Sequence, residues 1–153
     1  PEYETDAKYL TFLDQLQRVG LKASGLSRNT QRKIDQNPTV LKSIKALHDA
    51  GANLAAGTDS PFIPYGISQH FEMFLMVEAG LTPAEAIRAA TINVARNIGA
   101  EDDLGSLEPG KLADMAILSG NPLEDIRAIR NVKATIKGGH YYTIEELLKR
   151  DAQ

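Results

Sequence analysis

Asp59 stands in Gly57-Thr58-Asp59-Ser60, directly after the small, uncharged run Asn53-Leu54-Ala55-Ala56. Such a run reads as a buried parallel strand whose neighbours leave room only for alanine and glycine. A carboxylate just past its end is expensive to bury without a partner, and in α/β proteins ligands bind outside the carboxyl ends of the strands. The same aspartate would equally serve as a helix cap or turn residue, roles common for its type. The side chains that ordinarily titrate near neutral pH are His48, His70 and His140, and the chain has no cysteine. Disulfides, zinc fingers and thiol catalysis are therefore excluded, while the compartment stays open between the cytoplasm and export.

The elements that would position Asp59 alternate in an α/β rhythm. Tyr9, Phe12, Leu13, Leu16 and Val19 recur at helical spacing over residues 5–19, with Gly20 as a stop. A polar stretch follows, with a short helix expected over 28–35. Pro38 then opens a helix with the stripe Val40, Leu41, Ile44 and Leu47, which Gly51 ends. It feeds straight into the strand at 53–57. Past the loop 61–66, residues 67–79 are apolar on nearly every side, so this helix must be covered on more than one face. Thr82-Pro83-Ala84-Glu85 is a capping box with proline in the first helical position, and a further short helix spans 92–98.

Beyond residue 100 the character changes. Glu108-Pro109-Gly110-Lys111 has proline and glycine where a type II turn needs them. Strands are expected over 114–118 and 132–137, joined by a helical turn within 123–130. Gly138-Gly139 then makes a hairpin into His140-Tyr141-Tyr142, and Thr143 with Glu146 caps a last helix.

The 153 residues are 42% hydrophobic and 24% charged, values of a folded globular chain. A net charge of −3 without a basic run argues against nucleic acid or an anionic membrane as partner. No apolar run approaches the roughly 20 residues that span a bilayer. The start at Pro1, without an initiator methionine, points to a processed or cut piece of a longer protein.

Four blocks in order carry a resemblance: 56–60 (AGTDS), 78–87 (EAGLTPAEAI), 89–95 (AATINVA) and 104–114 (LGSLEPGKLAD). Together they resemble the C-terminal third of the amidohydrolase superfamily, in its imidazolonepropionase-like and Xaa-Pro dipeptidase-like branch. The resemblance implies a TIM-type (β/α)8 barrel with one or two divalent metals, usually zinc, at its mouth, and a small β-sandwich built from both ends of the full chain. Residues 1–100 would be the C-terminal portion of the barrel, its last strand and following helices, and residues 101–153 part of the sandwich with a terminal helix. Asp59 matches the family's aspartate at the end of the eighth strand, which touches the metal and takes the proton from the attacking water. The family's other ligands, its histidines and its lysine or carboxylate, have no counterpart here, so this chain alone is expected to hold no metal and to be inactive.

By position after Asp59, His70, Ser60 and Gln69 are candidates for substrate contact; the plainer account of His70 is a histidine packed beside Phe71 and Phe74. His48 is expected to be structural and His140 exposed. Asp114 is expected to fix the turn at Gly110 through backbone amides.

The expected activity is hydrolysis of a carbon–nitrogen bond in a small amide, peptide or cyclic amide by a metal-activated water. A deaminase of the same superfamily and a non-catalytic binding or assembly module are the rivals. The excess apolar surface of helix 67–79 predicts homo-oligomers or self-association for an isolated copy. Substrate identity is beyond one strand-to-helix loop out of eight.

Overall fold

In the computed structural model, which describes residues 38–58 and 66–149, proline again opens the first helix, α1 (Pro38–Asp49). The helices expected over 5–19 and 28–35 lie outside the described residues. After a turn at Gly51 the chain runs through residues 52–58 and resumes in α2 (Ile67–Glu78), α3 (Pro83–Ala89) and α4 (Ile92–Asn97). The capping box forms as expected: Thr82 Oγ1 accepts from the Glu85 amide at 3.3 Å, and Glu85 Oε2 accepts from the Thr82 amide at 2.7 Å.

The expected strand at 53–57 is not a strand. A strand exists through ladder bonds to a neighbour, and the strands among the described residues pair only with one another. Residues 53–58 instead run beside α3 and α4: the Ala56 amide donates to the Ala89 carbonyl at 3.0 Å. Ala56 is buried, but Asn53 and Gly57 are exposed, so the segment is less enclosed than its composition suggests.

Beyond residue 100, β1 (Met115–Leu118), β2 (Val132–Lys137) and β3 (His140–Thr143) form an antiparallel sheet in the order β1-β2-β3. Met115 faces Ile136, which faces Tyr141, and the register shifts between Ile117 and Leu118. The β1–β2 connection contains a 3-10 helix (Ile126–Arg130) capped by the Asp125 carboxylate. A second capping box, from Thr143 to Glu146, starts α5 (Ile144–Leu148). The turn at 108–111 also forms, with the Lys111 amide donating to the Glu108 carbonyl at 3.2 Å.

One core cluster joins the two halves. Met73 and Met76 of α2, Leu81, Ala86 and Ala89 pack with Ala56 and with Ile126 and Ile129 of the 3-10 helix. Among its described surroundings α2 is covered unevenly: Met73 and Met76 are buried, whereas Phe71, Phe74, Leu75 and Val77 are only half-buried. Phe71 and Phe74 meet edge to face at 5.9 Å between centroids, an arrangement aromatic pairs favour. Among the described residues no large side chain is completely buried, and Ile98, Leu107 and Leu112 are exposed.

Asp114 fixes a turn, but not the expected one. Its carboxylate accepts from the Gly138 amide at 2.6 Å and pairs with Lys137, so it braces the β2–β3 hairpin rather than the turn at Gly110. The Gly139 amide adds a bond to the Ala113 carbonyl at 3.1 Å. The Lys137 hydrogen bond first, and the Gly138 amide second, hold this carboxyl below its ordinary value of 3.8. The folded-state value thus lies below the unfolded one. The resulting stabilisation is present above the unfolded value and is lost as pH falls through the folded one. Asp114→Asn is therefore expected to be less stable than the native protein at neutral pH, with the gap closing below about pH 4, as urea midpoints across that range would show.

Candidate active site

Asp59 and Ser60 lie outside the described residues. What the structure shows is how the backbone leading to them is held. Leu54 offers its carbonyl to Asn93 Nδ2 of α4 at 2.8 Å, and Asn53 Nδ2 donates to Asn97 Oδ1 at 2.7 Å. With the Ala56–Ala89 bond, three hydrogen bonds fasten residues 53–56 to the end of α3 and to α4. This is possible because Ala86 and Ala89, only 0% and 1% exposed, let the backbone come close.

His70 and Gln69, in the first turn of α2, line a cleft of about 540 Å³ together with Met73, Thr91, Ala116 and Ile129. The cleft lies between α2, the α3–α4 corner, the 104–107 loop and the sheet. Burial, and next the Arg130 guanidinium, push the His70 imidazole below its ordinary value of 6.5, which favours its neutral form. It can then accept one hydrogen bond and donate another. Both residues are half-buried, and Phe71 and Phe74 lie on the same helix as His70.

His48 is tied into the framework. Its Nε2 lies 3.2 Å from Glu85 Oε1, so the carboxylate that caps α3 also links that helix to α1. His140 is exposed on β3. Among the described residues no three or more His, Cys, Asp or Glu side chains gather into a group able to hold a metal ion.

Three groups carry no local sequence signal. Arg130 reaches the neighbourhood of His70 from 60 positions away. Glu72, partly buried on α2, has its carboxyl pushed up by burial. Asn93 lay within a recognised block, but a helix reveals nothing of a hydrogen bond made 39 residues away.

The block at 104–114 proves to be a clamp. Lys111, with a side chain only 14% exposed, donates from Nζ to the Glu101 carbonyl and to Ser106 Oγ, both at 2.6 Å. Its ammonium gathers the loop while Gly105 presses against the start of α4.

The sequence profile of the amidohydrolase family matches residues 17–141, and the chain belongs to that family. Over 106 residues it is 38% identical to an ochratoxinase of Aspergillus niger, an alignment covering 67% of this chain and 22% of that protein. Over 100 residues it is 40% identical to an imidazolonepropionase of Geobacillus kaustophilus, covering 62% of this chain and 24% of that protein. A Xaa-Pro dipeptidase whose crystal structure has methionine bound in the active site superposes with a TM-score of 0.63 at 38% identity, covering 69% of this chain and 26% of that one. The chain thus spans about a quarter of the length of these relatives. No helix among the described residues is long and apolar enough to cross a membrane.

Proposed function

We propose that this chain is the C-terminal part of a hydrolase that cleaves a carbon–nitrogen bond in a small amide, peptide or cyclic amide, and that Asp59 takes the proton of the attacking water. The observation that carries the reading is the match to the amidohydrolase family across residues 17–141, which includes Gly57-Thr58-Asp59-Ser60. The kinship with a Xaa-Pro dipeptidase adds the bond preceding proline as a candidate scissile bond.

The described residues do not by themselves fit a divalent metal; Asp59 is this chain's proposed contribution to a zinc site whose remaining ligands come from a longer protein. A bound divalent ion supplies a water with its pKa lowered to about 7. The chain's own part is to hold a carboxylate where that proton is released. Ser60, Gln69 and His70 are proposed to contact substrate. The exposed Leu107, Leu112 and Ile98 go with self-association of the isolated chain and with loss of activity without the rest of the barrel.

The test is hydrolysis by the full-length protein of the dipeptide Met-Pro, an N-acylated phenylalanine and an imidazolone ring compound, before and after treatment with a zinc chelator. Turnover of at least one, abolished by the chelator and restored by added zinc, is expected. No turnover, or turnover indifferent to the chelator, would overturn the reading.

A further inference from the structure

We draw no further inference here: the strongest candidate, the largely apolar cleft of about 540 Å³ between α2, the α3–α4 corner, the 104–107 loop and the sheet, with Gln69 and His70 in its wall, carries none because nothing in the structure shows what covers or fills it.

Discussion

Asp59→Asn in the full-length protein is expected to lower kcat by about 10³-fold, within the range that a positioned general base contributes, and to leave KM within a few-fold. Asparagine keeps the size of aspartate and one of its acceptor oxygens, so a role confined to capping or to the turn would largely survive the change. What it cannot do is take a proton near neutral pH. The loss should therefore fall on the chemical step rather than on ground-state binding. The acidic limb of the pH–rate profile, which reports protonation of the base, should flatten in the variant. Steady-state kinetics on Met-Pro across pH, with circular dichroism to check folding, decides the matter. A variant within about tenfold of the native rate falls short of the 10²-fold or more expected for a base and returns Asp59 to the turn.

Local chemistry made most elements legible in advance. Thr82 with Glu85 and Thr143 with Glu146 announce two helix starts because a capping box is complete within four residues, and both boxes form. The turn at 108–111 and the Gly138-Gly139 hairpin are legible for the same reason: the backbone each needs is written into adjacent residues. The misreading at 53–57 is of another kind. Being a strand is a property of a pair, and small uncharged residues suit a backbone lying against alanines of a helix as well as one lying inside a sheet. Asp114 does brace a backbone amide, as its type suggests, yet its turn lies 24 residues downstream rather than beside it. Arg130 beside His70 and Asn93 under Leu54 belong with it. Such contacts are fixed by how α2, α4 and the 3-10 helix converge, which no periodicity encodes. Asp59 itself was singled out by its place after the run 53–57 and by family resemblance; the described residues show what fastens the approach to it.

Gly105→Ala is expected to be the most damaging small substitution in the clamp at 104–114. A Cβ at this position would lie 2.8 Å from Ala95 Cβ, 2.8 Å from Ile92 Cα and 3.2 Å from the Ile92 nitrogen. Two of those atoms are backbone at the start of α4, and Ala95 is buried, so relief requires the helix or the loop to move. The φ of Gly105 is +88°, a region where an L side chain is strained even with space around it. Backbone strain of about 1–2 kcal/mol and overpacking of about 1–3 kcal/mol together amount to about 2–5 kcal/mol, a large share of the roughly 5–15 kcal/mol that holds a typical domain folded. Gly110→Ala separates the two causes. Its φ is +95°, but nothing lies within 4 Å of the added Cβ, so only the backbone cost of about 1–2 kcal/mol applies. Urea unfolding of both variants should place Gly105→Ala well below Gly110→Ala. Equal losses would mean that the loop yields freely and that the clamp is not rigid.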